Sequence, residues 1–314
     1  MQNPSPAPLK MDAYLDLARR GKNAYWRYIL AVVLILFMWQ IVGAIPYLIL
    51  LFMALLSGQV HTVNEALNPP GVDPLVSFVA LMLASMAFLV GIWMAMRFIH
   101  NRSLRTLITP ARSIAWGRFL QGFALWFLLM GLVSALEAGL HPGRYSWTFH
   151  ADKFFPFAIV ALFFIPFQTS AEELFFRGYL LQGVGLLKKN IWLLSGLSGF
   201  LFMAPHFLNP EASSNYLLMG LYYFSMGAFL AYITLRDGRL ELALGVHAAN
   251  NLFSVLIANY TVSSLPSPFL LTVNVLDPVF SVPVALASMV VFILFFLASF
   301  RRQEPVSLPL SSQE

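Results

Sequence analysis

An all-α, polytopic membrane bundle of about eight transmembrane helices is the fold class this sequence predicts. Three observations lead there. The 314 residues are 59% hydrophobic and only 11% charged, with a mean hydropathy of +0.74. A soluble domain carries about 25% charged residues. Apolar runs near the length of a bilayer crossing, about 20 residues, recur along the whole chain. Almost all basic residues fall at alternate ends of those runs.

Residues 1–27 read as a cytoplasmic N-terminal segment with a short amphipathic helix. Pro4, Pro6 and Pro8 come first, then Met11 to Arg20, where Tyr14, Leu15 and Leu17 alternate with Asp12, Asp16, Arg19 and Arg20. No cleavable signal peptide is expected, because the first apolar run is too long for one. Spans are predicted at 28–56, 75–97, 119–140, 155–187, 191–208, 214–235, 241–260 and 280–300. The first and fourth runs are longer than one crossing requires and carry prolines: Pro46 is placed to kink the first, and Pro156 and Pro166 to break or start the fourth. The domain reading is N-terminal transmembrane helices over 28–150, a catalytic core over 151–262, a last loop and helix over 263–302, and a disordered cytoplasmic tail over 303–314.

Orientation follows from charge. Of 19 Lys and Arg, 16 flank one set of alternate helix ends, from Lys10 to Arg27, Arg97 to Arg118, Lys188–Lys189, Arg236 with Arg239, and Arg301–Arg302. Only Arg144 and Lys153 lie at the other ends, and Arg177 falls inside a span. The positive-inside rule then expects both termini in the cytoplasm of a protein of the cell (plasma or inner) membrane. The sequence pI near 9.5 is accounted for by these flanks, so lipid headgroups and not nucleic acid are the expected partners. The chain has no cysteine, which excludes disulfides, thiolate metal sites and a thiol nucleophile.

Against this background, Glu172-Glu173-Leu174-Phe175-Phe176-Arg177 stands out. A charged side chain at the bilayer centre costs about 2.5–3.5 kcal/mol on translocon scales. Such groups persist where they pair, face water or do chemistry. Glu173 and Arg177 are four apart and can pair on one helix face. Glu172, turned about 100° away, is left as the free carboxylate. His206 and Glu172 each lie 16 residues from the turn around Lys188–Asn190, so they reach a common depth of about 24 Å along antiparallel helices. His247 and Asn251 share a face in the seventh span, at a height counted from Arg239 of about 12–18 Å, which straight-helix counting puts below the other two while leaving the same layer open. Asn250 is expected to point elsewhere, Glu137 to reach the interface, Trp126 to be packing, and Phe202 to pack on His206.

An acid, two imidazoles and an amide suggest hydrolysis. Glu172, with His206, can take a proton from water, and His247 and Asn251 can donate to the developing oxyanion. Alternatively, His206, His247 and Glu172 are candidate ligands of a divalent metal such as zinc, with water in the open position. The residues leave open whether a metal is used. No H-E-x-x-H and no G-x-S-x-G occurs. A proton-carrying transporter is the weaker reading, since no repeat is visible.

Glu172-Glu173-x-x-x-Arg177, Phe202-x-x-x-His206 and His247-x-x-x-Asn251, in this order, resemble the three motifs of the CPBP family (CAAX prenyl protease type 2, or Abi). The motif region covers about 155–260. The resemblance implies an eight-span helical protein with a cavity open to the membrane or the cytosol. It implies endopeptidase activity on a membrane-associated, possibly lipidated, protein or peptide. Glu172 would be the base with His206 beside it, His247 and Asn251 would surround the oxyanion, and Glu173, Arg177 and Phe202 would support them. Members also include bacteriocin-immunity and scaffolding proteins, which makes a non-catalytic binding role the alternative.

Overall fold

The computed structural model describes residues 10–58, 72–260, 263–265 and 267–301. The proline-rich start, His61 and the tail beyond Arg301 lie outside the described residues. Among these, the chain folds as a helical bundle, with six helices long and apolar enough to cross a membrane. After a short helix, α1 (Lys10–Leu15), come α2 (Tyr25–Leu56), α3 (Pro74–Ile99), α4 (Trp116–Leu140), α5 (Ala151–Gly185), α6 (Ile191–His206), α7 (Tyr216–Asp237), α8 (Glu241–Leu256) and α9 (Pro278–Arg301). The predicted fifth and seventh spans correspond to α6 and α8, each of 16 residues, about 24 Å long at 1.5 Å per residue. α8 is buried along most of its length, whereas α6 keeps Trp192, Leu193 and Phe200 exposed.

α2 is interrupted where Pro46 predicts a kink: a π-helical turn over Met38–Val42 and a bend at Gly43–Ala44 precede a second helical stretch with Pro46 in its first turn. α5, by contrast, runs on through Pro156 and Pro166. Its departure from regularity comes later, as a π-helical stretch over Leu174–Leu180 directly after the two glutamates.

Two helix crossings are set by missing side chains. A Cβ on Gly245 would run into the Phe119 carbonyl oxygen, and one on Gly122 into that of Leu242, so α8 and α4 touch backbone to backbone. α6 and α7 meet likewise, where a Cβ on Gly227 would lie 2.9 Å from the Gly199 Cα. Small residues at such crossings are the usual means of close helix association in membranes. α6, α7 and α8, with the middle of α5, therefore form a tight inner group. Around it, large apolar side chains such as Leu48, Phe52, Ile159, Leu217 and Phe295 face outward, as lipid contact requires.

The two ends of the bundle differ. At the end carrying most basic residues, the amphipathic segment docks: Tyr14, Leu15 and Leu17 are buried against Leu181, Leu194, Ala231 and Leu235. The Tyr14 hydroxyl donates to the Leu107 carbonyl at 2.6 Å. Arg102, expected at headgroups, is instead buried, donating to Gln182 Oε1 at 2.6 Å and to Thr106 Oγ1 at 3.0 Å. Its burial pulls its pKa down from 12.5 to about 10. At the opposite end a small sheet caps the bundle. Its strands β1 (Tyr145–Trp147), β2 (Ala258–Tyr260) and β3 (Leu271–Val273) are ordered β1-β3-β2, with β1 antiparallel and β2 parallel to β3.

Candidate active site

α5, α6 and α8 bring the three motifs to one place. Glu173 and Arg177 form the expected i,i+4 pair at 2.7 Å, and both are fully buried. Arg177 also donates to the Gly227 carbonyl at 3.3 Å and lies over the Phe202 ring at 4.4 Å. Glu173 does more than clamp. Its Oε1 also accepts from His247 Nδ1 at 2.7 Å. A carboxylate can only accept here, so Nδ1 carries the proton and Nε2 is the atom turned toward Glu172. The distance from His247 Nε2 to Glu172 Oε2 is 3.7 Å.

His247 thus lies in the same layer as Glu172, not below it. Of the two placements left open by counting from Arg239, this is the same-layer one; the count ran low because it took the helix to begin at the membrane surface. α8 starts inside the protein: Glu241 is fully buried and the Leu240 amide donates to the Ile108 carbonyl at 2.8 Å.

His206 ends α6, with its Nδ1 donating to the Phe202 carbonyl at 2.6 Å. A carbonyl accepts, so Nδ1 is protonated and Nε2 of the neutral ring is an open acceptor. Phe202 stacks on His206, ring centroids 4.2 Å apart, as expected, and Tyr223 covers the other side at 4.8 Å.

The side chain that binds the acid is Gln168, one turn before Glu172. Gln168 Nε2 donates to Glu172 Oε1 in a short contact, and Asn251 Nδ2 donates to Gln168 Oε1 at 2.9 Å. Asn250 Nδ2 in turn donates to Asn251 Oδ1 at 3.1 Å, and Trp126 Nε1 to Asn250 Oδ1 at 3.3 Å. The direction of this chain is set by its ends, since an indole N–H only donates and a carboxylate only accepts. Two expectations are corrected here: Asn250 points into the site, and Trp126 anchors its polar chain. Gln168 carried one usable signal, an amide at i−4 from Glu172 inside an apolar run.

These side chains line a cavity of about 410 Å³, within the range of small-molecule and peptide sites. Glu137, three residues from the outer end of α4, also lines it. It is buried, accepting from Arg144 at 2.8 Å and from the Tyr145 hydroxyl at 2.6 Å. Arg144 in turn pairs with Asp277 at 3.0 Å.

The candidate metal set, His206, His247 and Glu172, does not assemble as ligands. Among the described residues no group of three His, Asp or Glu side chains has metal-binding geometry. Both imidazoles donate Nδ1–H to protein acceptors and leave Nε2 free, an arrangement that metal-bound histidines share, so it is the placement of the set and not its hydrogen bonding that fails to make a three-ligand site.

A buried carboxylate, two imidazoles and two amides thus line one cavity within a multi-pass helical bundle. Residues 151–253 match the family model described as type II CAAX prenyl endopeptidase Rce1-like. The chain is 38% identical over 259 residues to a Bacillus subtilis (strain 168) protein described as "Uncharacterized protein YyaK", covering 80% of this chain and 85% of that one. No solved structure matches the chain. The chain belongs to the Rce1-like family of type II CAAX prenyl endopeptidases.

Proposed function

We propose that this protein is an intramembrane endopeptidase in which Glu172 activates water against a peptide bond of a membrane-associated protein or peptide. The observation that carries this reading is the second oxygen of Glu172. Oε1 is held by Gln168, while Oε2 has no hydrogen-bond partner among the described residues and faces His247 Nε2 across 3.7 Å. A water beside Oε2 can also donate to the open Nε2 of His206. Glu172 takes its proton as the water oxygen bonds to the carbonyl carbon. The carbonyl electrons move to oxygen, where Asn251 Nδ2 and a protonated His247 Nε2 are the available donors. Glu172 then passes the proton to the departing nitrogen as the C–N bond breaks. The residues do not fit a three-ligand metal site, and no step here runs through one.

Glu172→Gln is the direct test. It keeps the shape and the Gln168 contact but removes the base, so cleavage by purified, reconstituted protein should fall about 10²–10⁴-fold, the usual share of general-base catalysis. Cleavage by Glu172→Gln at the wild-type rate would remove Glu172 from the chemistry and favour the binding or immunity role.

A further inference from the structure

We infer that the catalytic cavity opens on the non-cytoplasmic face of the membrane, so that the peptide bonds reaching Glu172 are those presented from outside the cytoplasm. This rests on the endopeptidase reading for what happens in the cavity, but the direction of opening stands on separate observations.

Among the described residues the cavity runs from mid-bundle, where Trp126, Phe202, Met226 and His247 line it, to the sheet end. Beyond Glu172 it is formed by Glu137, Tyr145, Glu211, Tyr260, Ser264 and Ser281, all in or next to the sheet end and its loops. No residue of the segments 100–115, 186–190 or 237–241, which join helices at the basic end, takes part. On that side the site is closed by the fully buried Glu173–Arg177 pair, with His247 against it, and by the apolar core around Phe176, Phe229 and Leu230.

Depth agrees. Asn190 caps α6 at the basic end, its side chain accepting from the Leu193 amide at 2.9 Å, and His206 is the last residue of the helix. Those 16 residues raise His206 about 24 Å above the basic turn, in a hydrocarbon layer of about 30 Å. His206 therefore lies in the far half of the layer, while Trp126, bonded to Asn250, stands 10 residues, about 15 Å, above the Trp116 start of α4, near the middle of that helix.

Charge fixes which boundary that is. Sixteen of 19 Lys and Arg flank the closed end. At the open end, Arg144 is occupied by Glu137 and Asp277. A basic excess on short loops marks the cytoplasmic side. The family resemblance implies a cavity open to the membrane or cytosol; in this chain, the geometry and the charge together point the other way. The substrate class that follows is a membrane-anchored polypeptide whose scissile bond lies at the outer surface, and cytoplasmic lipidated tails are excluded.

The cysteine-free sequence makes the test clean, because any introduced thiol is the sole one. Ser281→Cys at the mouth, Ser254→Cys one turn above Asn250 inside the cavity, and Lys188→Cys at the basic turn are expressed in the full chain and exposed to a membrane-impermeant maleimide. In intact cells Ser281→Cys and Ser254→Cys should be modified, and Lys188→Cys only after the cells are broken. The inference is overturned if Lys188→Cys is modified in intact cells, or if Ser254→Cys is modified only after breakage or in neither condition. Glu172→Gln in the same backgrounds separates the two claims. An outside-accessible cavity in a chain that still cleaves without Glu172 would end the chemical reading and leave the access geometry standing.

Discussion

Gln168 is the residue that turns a tolerated carboxylate into an aimed one. By holding Oε1 of Glu172 it leaves a single oxygen, Oε2, without a hydrogen-bond partner among the described residues, and through Asn251 it ties the acid to α8. Gln168→Ala should therefore lower kcat and leave KM near its wild-type value, because orientation of the base is lost while the cavity keeps its shape. Asn251→Ala acts on the same chain. The double variant should be much less damaged than the product of the two single effects, as neighbours in one network are non-additive. Additive losses would show that the two amides work independently. Arg177 belongs to this scale too. Arg177→Leu leaves Glu173 buried with one partner fewer, and breaking a buried ion pair costs about 3–5 kcal/mol. Unfolding of the detergent-solubilised protein should shift accordingly. The three motifs were legible from residue type and spacing alone, because a charge in an apolar run is costly and conspicuous. Gln168, Asn250 and Trp126 were not. A neutral amide or an indole in such a run carries little penalty, and its partners lie up to 124 residues away.

The helices carry the next layer of constraint. α8 holds His247, Asn250 and Asn251, and its position is fixed where Gly245 and Gly122 let it rest on the α4 backbone. Gly245→Ala places a methyl group against the Phe119 carbonyl and the Phe123 amide, both backbone and neither able to turn away. The variant should lose about 1–3 kcal/mol, the usual range for overpacking. Because α8 must shift to accommodate it, activity should fall further than stability alone explains, measured at a temperature where the variant remains folded. Helix-length counting from the sequence succeeded for Glu172 and His206 because α5 and α6 join through a short turn that gives both a common origin. It ran low for His247 because nothing in the sequence marks a helix start buried beneath the segment carrying Ile108. The π-helical stretch after Glu173 was equally invisible, since π turns, often found at functional sites, leave no composition signal.

At the scale of the whole molecule, charge ties both ends, Lys189 to Asp16 and Arg118 to Asp237 at the basic end and a three-residue set at the sheet end. Arg144 bridges Glu137 of α4 and Asp277 at the start of α9. Hydrogen bonding to Arg144 is the largest influence on Asp277 and holds its carboxyl below the ordinary 3.8. A lowered folded-state pKa stabilises the fold above the unfolded value, and the contribution is lost as pH falls through the folded one. The thermal midpoint of the wild type should thus exceed that of Asp277→Asn at neutral pH, and the difference should close below about pH 4, where the unfolded carboxyl is already protonated. A gap independent of pH would assign Asp277 a purely steric role. Fold class and the alternation of charge were readable from composition. The sheet was not, because three-residue strands fall below any periodicity that a sequence can display.

The ion pair beneath the reacting groups has one more effect. A cavity that reaches a membrane site from one face would offer protons and small ions part of a path across. Below this one stand Glu173 and Arg177, opposite charges in direct contact and fully buried. A site of this build can admit water from one side while the voltage across the membrane survives.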